Sequence, residues 1–159
     1  MLVLTAHTHA QEINPSEVTK IMEKVANWQI DNFQGLYSGH DKPHHPLDWT
    51  NGALYVGMVK WAAMANNDKY YEWLKDIGQK HEWQLHSRKY HADDHTVGQL
   101  YIDLYRKYQD KAMIEPTKEQ FNFIMYHPSQ SSLHWNTPFH QDRWNWCDAL
   151  FMSPPVWAK

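Results

Sequence analysis

The chain carries a single cysteine, Cys147, among 159 residues. No intrachain disulfide can form from it, and no cysteine-based zinc site can close around it. Glycine is scarce, at six residues, and no glycine-rich loop of the kind that cradles phosphate is present. No Gly-x-Ser-x-Gly elbow occurs, which removes the serine nucleophile of that class. No apolar run is long enough to span a membrane, and no membrane partner is expected. Neither sign of charge dominates: 15 basic against 18 acidic side chains leave a net charge of −3. The basic residues are scattered, so no nucleic-acid footprint can be drawn. Alternation of period two never extends beyond a few residues, so no strand is expected.

What is present is a globular composition rich in rings. Hydrophobic residues make up 42% and charged residues 21%, enough for a core in one ordinary domain. Nine Trp, nine Tyr and twelve His stand out. Such rings can simply fill a core. Indole N–H groups need partners when buried, however, so the same composition suits a pocket that stacks on sugar rings while donating hydrogen bonds. Residues 1–12, beginning Met1-Leu-Val-Leu, read either as the remnant of a signal peptide or as a disordered start: a short apolar run leads to small residues at Thr8 and Ala10.

The remainder reads as helices. Asn14 can cap a helix opening at Pro15, whose apolar stripe is Val18, Ile21, Met22, Val25 and Trp28. A His- and Pro-rich loop spans Gly35 to Pro46. Asp48 is placed to cap a second helix to about Ala65, and Asp68 a third carrying Tyr70, Trp73, Leu74 and Ile77. Asp93 or Asp94 opens a fourth with Val97, Leu100, Tyr101, Leu104 and Tyr108. Pro116 opens a fifth, with Phe121, Ile124 and Met125 inward. A last segment runs from Asp148 and must break or kink at Pro154-Pro155. Six helices and no strand make the fold class all-α.

Three clusters at loop-to-helix junctions could carry chemistry: Asp48-Trp49-Thr50-Asn51-Gly52, His91-Ala92-Asp93-Asp94-His95, and Arg143-Trp144-Asn145-Trp146-Cys147-Asp148. Each sets a carboxylate at a helix start, where an N-cap is worth about 1 kcal/mol. The competing reading is catalytic. Asp148 follows two tryptophans, and apolar desolvation favours the protonated form that a general acid needs. Arg143 offers a fork for a substrate carboxylate. His91 and His95 have the spacing of a zinc pair, but Ala92 replaces the glutamate of that motif. His40, His44 and His45 lack a matching carboxylate pattern, so no metal site is expected. Cys147, in an apolar stretch, reads as a buried packing residue.

On these clusters the chain resembles the unsaturated rhamnogalacturonyl hydrolases, glycoside hydrolase family 105. The motifs are Asp48-Trp49-Thr50-Asn51-Gly52-Ala53-Leu54, His91-Ala92-Asp93-Asp94 with Gly98-Gln99, and Trp146-Cys147-Asp148-Ala149-Leu150-Phe151-Met152-Ser153-Pro154-Pro155. The last is the most specific. The resemblance implies that residues 13–159 form the first half of an (α/α)6 barrel of helical hairpins. It implies removal of the 4,5-unsaturated galacturonyl unit from pectin lyase products, with neither metal nor organic cofactor. In that chemistry a carboxylic acid protonates C4 of the enol ether and water adds at C5. By motif match Asp148 takes the acid and base role, and Asp94 (or Asp93) supports it. Trp49, Asn51, His91, Asp93, Arg143, Trp144 and Trp146 are then expected around an unsaturated pectin-derived oligosaccharide. A pectin degrader's enzyme is expected to be exported, to the periplasm, with the cytoplasm as the alternative. A half-barrel leaves helix faces uncovered, so self-association or pairing with the missing half is also expected. Two rival readings are a non-catalytic carbohydrate-binding helical module and an assembly fragment.

Overall fold

The computed structural model describes residues 14–33, 42–134 and 140–159. The expected signal remnant at residues 1–12 and His40 lie outside the described residues. The helices are α1 (Pro15–Asp31), α2 (Trp49–Ala65), α3 (Asp68–Lys80), α4 (Ala92–His95), α5 (Gly98–Tyr108), α6 (Glu115–Tyr126), α7 (Ala149–Met152) and α8 (Pro154–Ala158). Two 3-10 turns, Lys111–Met113 and His140–Arg143, join them. Among the described residues no strand forms, and the fold is all-α.

Local chemistry explains most boundaries. Asn14 Oδ1 accepts the Ser16 N–H at 3.0 Å, with Pro15 at the first helical position. Asn66 ends α2 in the left-handed conformation and turns the chain back. Asn67, not the expected Asp68, caps α3: its Oδ1 accepts the Lys69 N–H at 3.0 Å, and Asp68 is already helical. The expected fourth helix divides into α4 and α5 around Thr96, where i to i+3 bonds tighten the backbone. Gly52 of α2 presses on this junction; a Cβ there would stand 2.8 Å from Thr96 Cγ2. The last segment divides at Ser153, because Pro154 and Pro155 bring no N–H to continue α7.

Helix α2 sits in the middle of the packing, against α1, α3, α4 and α5. It buries Tyr55, Met58, Val59, Trp61 and Ala62 against Tyr70, Leu74 and Ile77 of α3 and Leu100, Tyr101 and Leu104 of α5. The buried tyrosines keep their hydroxyls bonded. Tyr55 donates to Pro46 O at 2.8 Å, Tyr70 to Asn27 Oδ1 at 3.0 Å and Tyr101 to Gln84 O at 3.0 Å. The first and third tie core rings to the loops that enter α2 and α4, and the second ties α3 to α1.

Two expected stripes are not core. Val18, Ile21, Val25 and Trp28 of α1 are 41–62% exposed, and only Ala26 is buried on that helix. Met125 of α6 is 64% exposed, while Phe121 is buried as expected and Ile124 partly so. The helical period is right. Met22 packs on the core, Ile21 and Val25 line an open groove with Leu54, Met58 and Trp61 of α2, and Met125 lines another with Trp157 of α8. Neither groove closes over them. Half-exposed as they are, these side chains each forgo about half of the roughly 1.5–3 kcal/mol that full burial brings.

Candidate active site

A cavity of about 110 Å³ opens where three segments meet: the first turn of α2, the start of α4, and the stretch from the second 3-10 turn into α7. Trp49 comes from α2, and His91, Ala92 and Asp93 from the start of α4. Gln141, Trp144, Trp146, Asp148 and Ala149 come from the third segment. The segments are held together beneath the cavity. Ala92, Ala149 and Met152 form a small apolar cluster with Trp144 packed on it. Thr96 Oγ1 donates to the Met152 sulfur at 3.0 Å, and Gln99 Nε2 donates to Phe151 O at 2.8 Å. Two of the three motifs read in the sequence therefore touch directly, and Trp49 of the remaining one shares their cavity.

The carboxylates divide by environment. Asp94 is 1% exposed and fully engaged by Arg88. Its Oδ2 accepts the Arg88 backbone N–H at 2.6 Å, and its Oδ1 accepts Nε at 2.9 Å and Nη2 at 2.6 Å. It lies behind the cavity wall and holds the loop that precedes α4. Asp93 is the acid of that motif on the cavity wall. Burial holds the Asp93 carboxyl above the ordinary carboxylate range, and the charges of Asp148 and Asp94 push the same way against the pull of His91 and Arg88. Asp148 is exposed at the rim, so the desolvation expected of its tryptophan neighbours falls on Asp93 instead.

None of the three acids caps a helix with its side chain. Asp48 accepts the His45 N–H at 2.9 Å and lies 3.1 Å from His86 Nε2, which pins the loop entering α2. Asp94 is inside α4, and Asp148 makes no cap bond to α7. The cap of α4 is His91, whose Nδ1 accepts the Asp93 N–H at 3.3 Å.

The other expected residues separate in the same way. Trp49 and Trp146 are 45% and 51% exposed and line the cavity. Trp144 is half-buried with φ at 55°, a left-handed conformation that costs about 1–3 kcal/mol outside glycine. Its indole donates to Tyr90 O at 2.7 Å, and its ring meets His95 edge-on. Those contacts hold the strained backbone, and with it the ring, against the cavity. Asn51 and Arg143 do not reach it. The Asn51 amide donates to His45 O at 2.9 Å, and Arg143 Nη1 donates to Ser129 O and Ser131 O at 3.3 and 3.2 Å. Arg143 thus ties one guanidinium nitrogen to a loop outside the cavity.

His91 and His95, four apart, face different surroundings. His91 turns to the cavity and to Gln141 Oε1, 2.6 Å from its Nε2. His95 is fully buried between Ser153 Oγ and Lys89 O, and burial pulls it below the usual imidazole range. Cys147, expected to pack inside, is exposed. It precedes the first turn of α7, which buries only Ala149 and Met152. Gln141 was not picked out from the sequence, and no local pattern marks it, since its partner lies 50 positions away.

Comparison with known proteins follows the same segments. The profile of Glycosyl Hydrolase Family 88 matches residues 21–159. An unsaturated 3S-rhamnoglycuronyl hydrolase from Alteromonas sp. strain LOR is 32% identical, the alignment covering 91% of this chain and 39% of that protein. One of the same name from Formosa agariphila is 30% identical, over 91% of this chain and 37% of its own length. The chain therefore spans less than two fifths of those relatives. The family fold is an (α/α)6 barrel, and the helices described above make up part of one. With the match running through α2 to α8 and every segment that lines the cavity, the chain belongs to Glycosyl Hydrolase Family 88.

Proposed function

We propose that this chain carries the acid–base half of a glycoside hydrolase that removes a 4,5-unsaturated uronyl residue from the end of a rhamnose-containing oligosaccharide. The observation that carries this reading is that two carboxyl groups of unlike environment converge on one cavity walled by tryptophans. A carboxyl that burial holds above the ordinary range beside a second, exposed carboxyl brings acid and base groups to one cavity. A pair of flanking carboxylates could also serve ordinary glycoside displacement, but an unsaturated uronide asks for a different step. Its ring carries a C4=C5 enol ether, which accepts a proton at C4. Water then forms a bond to C5 and gives its own proton to the carboxylate. The resulting hemiketal opens, the bond to the leaving sugar breaks, and the acid is regenerated.

Asp148, at the open rim, is assigned the proton transfer, and Asp93 is its supporting acid. Exposed Trp49 and Trp146 suit the flat faces of sugar rings. The names of the two relatives favour rhamnose on the leaving side, and rhamnogalacturonan fragments left by a pectin lyase are the substrate to try first. Export to the periplasm fits a polymer-degrading role.

The decisive test follows the ultraviolet absorbance of the enol-ether chromophore when unsaturated rhamnogalacturonyl and other rhamnoglycuronyl oligosaccharides are added. Loss of absorbance that disappears in Asp148→Asn supports the reading. Well-placed acid–base catalysis contributes roughly 10²–10⁴-fold, so the variant should lose at least that. Binding of the oligosaccharide with no loss of absorbance would favour a carbohydrate-binding module, for which exposed tryptophans alone suffice.

A further inference from the structure

Gln141 lines the cavity but has no part in the chemistry above. Which end of its amide is left for a ligand is decided through space. The Asp93 backbone N–H, a fixed donor, points at His91 Nδ1 from 3.3 Å, so that nitrogen offers its lone pair. The ring proton then sits on Nε2, 2.6 Å from Gln141 Oε1, and is donated to it. His91 is only 6% exposed, so this pair of bonds fixes the ring. With the amide oxygen committed to His91, the NH2 is the end that remains for the cavity. Among the described residues no group accepts a hydrogen bond from it.

The charged groups of the cavity explain what such a donor is for. Two carboxyls line it, Asp93 and Asp148, and neither Lys nor Arg is among the lining residues. Arg88 is engaged with Asp94 at 2.6 Å, and Arg143 lies outside the cavity. A 4,5-unsaturated uronyl group carries its own carboxylate directly on C5, one end of the double bond that receives the proton. That anion must therefore enter beside two acids, with no cation in the lining to meet it. We propose that Gln141 is a specificity-determining, substrate-binding residue whose amide NH2 donates to the carboxylate of the unsaturated uronyl group. The proposal rests on the functional reading above. A carboxylate is a stronger acceptor than a hydroxyl or an ester oxygen, because the bond to it is charge-assisted. A neutral donor also binds the anion without setting a fixed positive charge beside the two acids that handle the proton.

Gln141→Glu isolates the donor. Its carboxylate still accepts the His91 Nε2 proton, so the link between the second 3-10 turn and α4 is kept, while a like charge replaces the NH2. Gln141→Met keeps the length and removes donor and acceptor without adding charge. Dissociation constants are measured by calorimetry on the intact protein for an unsaturated rhamnogalacturonyl disaccharide and for its uronyl methyl ester, with KM and kcat followed by enol-ether absorbance. In Gln141→Glu the melting temperature should stay near wild type, while affinity for the free acid falls roughly 10–100-fold, as expected where a hydrogen bond to a charged group gives way to like charge. In Gln141→Met the free acid should weaken by about 10-fold. In both variants the methyl ester should lose far less than the acid, and the loss on the acid should appear in KM more than in kcat. Wild-type affinity for the acid in Gln141→Glu would make Gln141 a latch alone and overturn the proposal. Equal losses on acid and ester would place the amide against another part of the sugar and overturn it too. Either result with a wild type that turns over the free acid leaves the functional reading intact. A wild type that binds the acid without turnover removes that reading, and the dissociation constants still decide the role of Gln141. A wild type that neither binds nor turns over any unsaturated uronide sinks both.

Discussion

Asp94→Asn tests how the site is built. The carboxylate accepts three bonds from Arg88, the backbone N–H on Oδ2 and Nε and Nη2 on Oδ1. An amide has one acceptor. If its oxygen faces the guanidinium, its NH2 opposes the Arg88 backbone N–H; turned over, it opposes two donors. One or two charge-assisted bonds are lost in either orientation, each worth about 1.5–3 kcal/mol. The Arg88 side chain is 50% exposed and can regain water, which discounts its share. The net loss is then about 2–4 kcal/mol. At roughly 2–4 °C per kcal/mol for a chain of this size, the melting temperature should fall by on the order of 10 °C, read by far-ultraviolet circular dichroism. A melting temperature equal to wild type would refute the buried-anchor account of Asp94. Lost turnover at an unchanged melting temperature would return Asp94 to the supporting catalytic role that the motif also allowed.

Three further outcomes follow from the same geometry. Burial raises the Asp93 carboxyl above its unfolded value near 3.9, so its ionisation weakens the fold. That cost is absent below the unfolded value, grows as pH rises through the folded one, and is full above it. Asp93→Asn should accordingly melt higher than wild type at neutral pH, the gain vanishing in acid; a lower melting temperature at neutral pH would contradict it. Gly52→Ala would press a Cβ to 2.8 Å from buried Thr96, costing about 1–3 kcal/mol; an unmoved urea midpoint would show that the junction of α4 and α5 can yield. The exposed α1 face of Val18, Ile21, Val25 and Trp28 should make the chain self-associate. Sedimentation showing a monomer at every accessible concentration would reject that.

Helix periods and breakers were legible in the sequence because they are local. Asn14 with Pro15 starts α1, Pro154-Pro155 ends α7, and the stripes of α3 and α5 are buried as their spacing implies. The segments that meet were legible for a related reason: the motifs are compact, and Trp49, His91, Asp93, Trp144, Trp146 and Asp148 of them line one cavity. Periodicity says that a face is apolar, not that anything covers it. Hence α3 and α1 read alike, yet Tyr70, Leu74 and Ile77 are buried while Val18, Ile21, Val25 and Trp28 stay exposed. Likewise, the adjacent carboxylates Asp93 and Asp94 have equal standing as letters. Their roles separate only because the helical turn aims one at the cavity and the other at Arg88. Arg143 and Gln141 show the same limit, since the first is taken by loop carbonyls and the second by a histidine far back in the chain. Spacing along the chain set the helices and named the motifs, whereas burial, protonation and hydrogen-bond partnership depend on distances through space that exist only once the helices have packed.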